Sequence, residues 1–299
     1  MAAPAQILDS KAHLKAVQKR IFGIKSLAAM PEVAWRLMRA LSDENTTMAN
    51  LAKLIESDQA LTFKVLSLVN SSFYGFATKI NTVERAAMMV GFQELQALAL
   101  GAGLSEAFDL RKAPEGFDGE ALWLHCLAVS WLAQKLAEAI SHPVPSEAMI
   151  AGLLHDMGKL VLATHLSDLY AEVLQMERSG TPYHEAEERL LLHHEVIGYW
   201  LAQRWDLPEI HVEAIRYHHA PKPNLPYHVT TYLIFLANRM AKVLGLGLVQ
   251  ESKDICPVHY SKVINLTERD LTLALEQARQ DLPPFLEKMR GMLAGGEDR

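Results

Sequence analysis

Apolar residues recur at three- and four-residue spacing along almost the whole chain, and the alternation that marks strands is scarce. That period is the helical one, so the sequence predicts an all-α protein. Pro31 sits where a first helical turn tolerates it, and Val33, Leu37 and Leu41 then share one face. Helices are expected over 48–56 and 60–70; Asn70-Ser71-Ser72 is polar and ends the second, and Gly75 breaks the pattern. Thr82 is placed to cap a helix through Val90, Gly91 stops it, and 93–104 begins another. Pro114, Gly116 and Gly119 mark the best internal boundary. Beyond it, Asp118 is expected to cap a helix over 120–140, and Ser146 one that bears His155. Thr181-Pro182 opens a further helix, with Glu185, Glu187 and Glu188 near its positive end. More follow around 196–204, 208–218, 230–244 and 267–280. The chain thus divides into an extension over 1–20, a helical subdomain over 21–115, a second over 116–245, and C-terminal helices and tail over 246–299.

Composition excludes several function classes. The 299 residues are half hydrophobic, enough for a sizeable core. The formal net charge is -6, so the basic surplus of a nucleic-acid binder is missing and no nucleic-acid partner is expected. Cys126 and Cys256 lie far apart and imply neither a disulfide framework nor a cysteine zinc site. The N-terminus lacks a signal-type apolar core, and apolar runs such as 160–163 and 233–237 are far too short to span a bilayer. A cytoplasmic protein with no membrane partner is expected.

The histidines are the second constraint. His13 stands alone in the extension, none occurs from 14 to 124, and the other twelve lie between His125 and His259. His125 shares a helix face with Leu122, Val129 and Leu132, so it points toward the core. The adjacent pair His155-Asp156 lies in an apolar run, where both groups are costly to bury unless something satisfies them. His193-His194 and His218-His219 follow; of the first pair, His194 is the better inward candidate. Imidazole and carboxylate together suit zinc, iron and manganese. His125, His155, Asp156, His194, His218 and His219 are therefore candidate ligands for a divalent metal. His142, His165, His184, His211, His228 and His259 are expected at the surface or in caps.

Two stretches carry a family resemblance. Leu153-Leu154-His155-Asp156-Met157-Gly158-Lys159-Leu160 resembles the signature of the HD superfamily of metal-dependent phosphohydrolases, especially its HD-GYP branch. The N-terminal half carries Ile55-Glu56-Ser57-Asp58-Gln59-Ala60-Leu61, Val69-Asn70-Ser71-Ser72, Ile80-Asn81-Thr82-Val83 and Val90-Gly91-Phe92 in order. That half is similar to HDOD domains, the HD-related output domains of bacterial signalling. The resemblance spans about 21–221 and implies an HD-like helical domain packed against an N-terminal helical bundle.

By that resemblance, His125 matches the upstream ligand, His155 and Asp156 the central pair, and His194 with Gly198 the next histidine. His218-His219 matches the paired histidines of the HD-GYP branch. The Gly-Tyr-Pro loop is absent, with Ala220-Pro221-Lys222-Pro223 in its place. Asn238 occupies the final carboxylate slot, and a neutral amide is a poorer ligand for a hard cation. The resemblance implies a regulatory HDOD module that acts on signalling proteins through ligand- or metal-dependent helix packing and is non-catalytic. Its alternative is a metal-dependent phosphohydrolase for a nucleotide or cyclic dinucleotide, in which Lys159 contacts phosphate. A third reading is an interaction platform without metal.

Overall fold

The computed structural model describes residues 4–25, 31–41, 43, 45–70, 76–104, 112–246 and 263–294. These form helices, with no strand among the described residues. The order is α1 (Pro4–Gly23), α2 (Glu32–Leu41), α3 (Met48–Glu56), α4 (Gln59–Val69), α5 (Val83–Val90), α6 (Phe92–Leu104), α7 (Gly119–Ala139) and α8 (Pro145–Leu154). Then come α9 (Met157–His165), α10 (Ser167–Arg178), α11 (Tyr183–Leu190), α12 (His194–Arg204), α13 (Glu209–Tyr217), α14 (His228–Val243) and α15 (Glu268–Ala294).

Local chemistry sets many of these ends. The side chains of Thr47, Thr82 and Asp118 each accept a hydrogen bond from a backbone N–H in the first turn of α3, α5 and α7. Gly91 closes α5 with φ of 94°. Asn70 fixes the entry to α5: its amide donates to the Ile80 carbonyl and its oxygen accepts from the Ile80 N–H. Among α2 to α6, α2 packs on α6, α3 on α5 and α4 on α6. The later helices build around α7, which carries α8, α14 and α15 on its sides, while α9 lies on α12 and α12 on α13.

Four elements differ from the sequence reading. The expected extension is a helix: α1 buries Val17 and Ile21 and lies on α12. Arg204 donates to the carbonyls of Ile21 and Ile24, and Arg20 pairs with Asp168. Ser146 is not the cap of α8, which starts at Pro145 with Val144 as N-cap and no side-chain cap. His155 follows α8 rather than lying within it, and 157–178 forms the separate helices α9 and α10. Finally, α15 runs through Pro283 and Pro284, well past the expected end near 280.

Two glycines let these helices close on each other. A Cβ at Gly152 would lie 2.8 Å from the Ser130 Cα of α7, and one at Gly158 would lie 1.9 Å from the His194 carbonyl oxygen of α12. Both flank His155-Asp156, so the pair enters a space bounded by α7 and α12.

Candidate metal centre

Five helices deliver the candidate ligands to one buried point. His125 comes from the middle of α7, His155 from the end of α8, and Asp156 from the corner before α9. His194 opens α12, and His218-His219 follow α13. His125, His155, Asp156, His194 and His218 are all buried, while His219 stands at the solvent-facing lip.

Asp156 is the hub. Its Oδ2 lies 3.4 Å from His155 Nε2 and 3.6 Å from His125 Nε2. Its Oδ1 lies 3.2 Å from His194 Nε2 and 3.6 Å from His218 Nε2. One carboxylate therefore faces two ligand groups, His125-His155-Asp156 and His194-His218-His219, whose ligand atoms lie within 4.8 Å of one another in each group.

The other ring nitrogens explain why the Nε2 atoms converge. His155 Nδ1 donates to the Gly152 carbonyl, His218 Nδ1 to the Ile215 carbonyl, and His125 Nδ1 to the Leu246 carbonyl. A carbonyl only accepts, so these rings carry their proton on Nδ1 and present a bare Nε2 lone pair. His194 is held more firmly, since Glu187 accepts both its Nδ1–H at 2.8 Å and its backbone N–H at 3.2 Å. An outer partner on Nδ1 is the usual support of a metal-binding imidazole.

His125, His155 and His218 bring no proton to the centre on Nε2. His194 Nε2 lies 3.3 Å from His218 Nε2 and 3.1 Å from His219 Nε2, lone pair against lone pair unless a cation or proton intervenes. His155 Nε2 and Asp156 Oδ1 are buried without a hydrogen bond. Such orphaned acceptors around a carboxylate fit a divalent cation.

Electrostatics points the same way. Burial pushes His125 down to about 3, against the pull of Asp156. Burial and their histidine neighbours hold His218 and His219 well below the usual range, so these rings are neutral. His194 is the exception: burial disfavours its charge, but Glu187 outweighs this and raises it to about 9. Burial would raise Asp156, yet His155 and Lys159 hold it well below the usual carboxylate range. Burial would lower Lys159, and Asp156 raises it instead.

Lys159 is buried beside Asp156. Its Nζ donates to Asp156 Oδ2 at 2.7 Å, and it sits over the Tyr183 ring. Asn238 is buried on α14, with its Oδ1 free of any hydrogen bond. It lies one turn from Lys242, whose charge acts on His219. His193 remains half-exposed at the N-cap of α12.

Among the remaining histidines, His184 is exposed, His142 accepts from the Val144 N–H, and His228 donates to the Leu225 carbonyl. His165 is half-buried beside Thr164. His259 and Cys256 fall outside the described residues. His211 corrects the sequence reading: it is fully buried, because α13 turns it inward with His218. Glu187 was read as one of three carboxylates near a helix N-terminus. It is buried against His194 instead, a role that only the fold reveals.

Residues 27–221 match the HDOD domain family. An uncharacterized protein of Treponema pallidum (strain Nichols) is 30% identical over 216 residues, which are 70% of this chain and 40% of that protein. The uncharacterized protein YuxH of Bacillus subtilis (strain 168) is 25% identical over 119 residues, 40% of this chain and 28% of that one. The chain thus spans less than half the length of these relatives. Among solved structures, an HDOD domain protein with unknown function from Geobacter sulfurreducens is similar at a TM-score of 0.70 and 23% identity, over 92% of this chain and 98% of that one. A protein of Marinobacter aquaeolei VT8 assigned to signal transduction is similar at a TM-score of 0.76 and 24% identity, over 95% and 66%. Both likenesses establish the all-helical fold.

Proposed function

The chain belongs to the HDOD family, and we propose that it serves as a regulatory module whose HD-type centre binds a divalent metal. In this reading, occupancy passes to a signalling partner as a change in helix packing. The observation that carries it is the convergence of four Nδ1-anchored imidazoles on the two oxygens of Asp156. His125, His155, Asp156, His194, His218 and His219 would hold the metal. Zinc, iron and manganese all suit imidazoles with one carboxylate. The ligands would come from α7, α8, α9, α12 and α13 and their ends, so an ion there would tie five helices together and its loss would loosen them. Phe63, Met88 and Met89 are exposed on the adjacent helices α4 and α5, and such apolar surface suits a protein partner. We assign the two halves of the chain, 21–115 and 116–245, to partner contact and to the centre. No described helix is long and apolar enough to cross a membrane.

Elemental analysis of protein purified without a His-tag tests the reading. Stoichiometric metal and a melting temperature that falls on chelation are expected. Metal-free protein with an unchanged melting temperature would leave only the metal-free interaction platform.

A second reading is favoured by one observation, the single carboxylate that faces both ligand groups. It is a phosphohydrolase for a nucleotide or cyclic dinucleotide. A divalent ion there supplies Lewis acidity toward phosphoryl oxygens and an acidified water. Lys159 would have to give up Asp156 to reach a phosphate, and Asn238 brings no charge. Turnover of nucleotides by manganese- or iron-loaded protein decides for this reading; its absence beside bound metal decides for the regulatory one.

A further inference from the structure

The two ligand groups around Asp156 are not equivalent. On the Oδ1 side, His194 Nε2 and His218 Nε2 lie 3.2 and 3.6 Å from the oxygen, and His219 Nε2 lies 3.1 Å from His194 Nε2. At Oδ2, two imidazoles gather, and the oxygen already accepts a 2.7 Å hydrogen bond from the Lys159 ammonium. We infer that the centre holds one metal ion, at His194, His218, His219 and Asp156 Oδ1, and that the ammonium of Lys159 stands in for a second cation at Asp156 Oδ2. This rests on the proposed metal-binding reading and deepens it.

Charge and space both support the assignment. A divalent ion bound to Oδ2 would lie within about 5 Å of Lys159 Nζ, given metal–oxygen distances near 2.0–2.2 Å. Like charges that close repel strongly where water is excluded, and Lys159 and Asp156 are both buried. The buried carboxylates that touch the candidate ligands are Asp156 and Glu187, whereas the buried Glu213 accepts from Tyr227 and Thr231 instead. With Lys159 and one divalent ion, Asp156 and Glu187 sum to +1, and a second ion would bring that sum to +3. Asn238 adds nothing to offset it. Glu187 also favours the first position, because its carboxylate is hydrogen-bonded to His194. The chain therefore keeps an Asp156 that reaches toward two positions but supplies one of the cations itself.

The test is metal stoichiometry. The full chain, purified without a His-tag, is stripped, reloaded with Zn2+ and dialysed against a weak chelator before elemental analysis. One ion per chain is expected. Lys159→Met should raise this to two, and His219→Ala should release it. Two ions in the unaltered chain, one in Lys159→Met, or an ion retained by His219→Ala would overturn the inference while the metal reading stands. No ion in the unaltered chain overturns both. Circular dichroism checks that Lys159→Met folds. Where it does not, a Co2+ titration of the unaltered chain decides: an endpoint at one equivalent supports the inference and one at two overturns it.

Discussion

His211 in α13 and His218 at its C-cap lie two turns apart, both fully buried, and their surroundings differ at every point. His218 donates from Nδ1 to the Ile215 carbonyl and presents Nε2 to Asp156, His194 and the rest of the centre. His211 has no hydrogen bond at either ring nitrogen, and burial alone pushes it down to about 4. Burial of a histidine is thus no sign of a ligand. The sign is an outer acceptor that takes the Nδ1 proton and aims Nε2 where other acceptors converge. One end of the helix uses its imidazole; the other only accommodates one.

The largest effect should come from forcing apart the crossing that shapes the ligand end. In Gly158→Ala the new Cβ meets the His194 carbonyl oxygen at 1.9 Å and the Gly198 nitrogen at 2.8 Å, both backbone atoms that cannot swing away. A loss of about 3 kcal/mol or more in urea unfolding is expected, with loss of bound metal. If Gly158→Ala keeps both stability and metal, the ligand end does not depend on the α9–α12 approach. A smaller effect should follow from Glu187→Gln, which keeps an acceptor for His194 but removes the charge. Metal affinity measured by chelator competition should fall roughly 10- to 100-fold, about 1.4–2.7 kcal/mol. Substitution at His211 should leave that affinity unchanged, and a matching loss there would erase the distinction between the two ends.

How much of this the sequence showed depends on where local chemistry decided the structure. The helix over 48–56 and the one capped by Thr82 and stopped by Gly91 were legible because side chains next to the backbone define their ends. The gathering of His125, His155, Asp156, His194 and His218-His219 in one place was suggested by their adjacency, their order and the family resemblance. The end of α8 was not legible: Leu154 and His155 are no breakers, and the chain turns there as the His155 ring bonds back to Gly152. Leu191, which ends α11 at φ of 53°, gives no residue-type signal either. Glu187 and His211 were misplaced for one reason, since whether a side chain faces the core was set by packing between distant helices. The helical course of α1 was missed because its few apolar residues find their cover on α12.

The smallest effect is the most direct test of what His211 does. Replacing it with leucine removes two orphaned polar atoms and keeps an apolar side chain of similar bulk. At pH 7.5 the variant should be more stable by roughly 1 kcal/mol, the lower end of what a buried unsatisfied group costs. The pH dependence should change too. In the folded chain His211 takes up a proton only near 4, whereas an unfolded histidine does so near 6.5. Between these values the unfolded state binds the extra proton, so the stability that His211 leaves intact above 6.5 is lost as pH falls toward 4. His211→Leu should flatten that decline by up to about 1.4 kcal/mol per pH unit, read from denaturant unfolding at pH 7.5, 6 and 5. The groups of the candidate centre are common to both proteins and cancel in the comparison. An unchanged slope would mean that His211 finds a hydrogen-bond partner, and the contrast between the two ends of α13 would narrow to the metal alone.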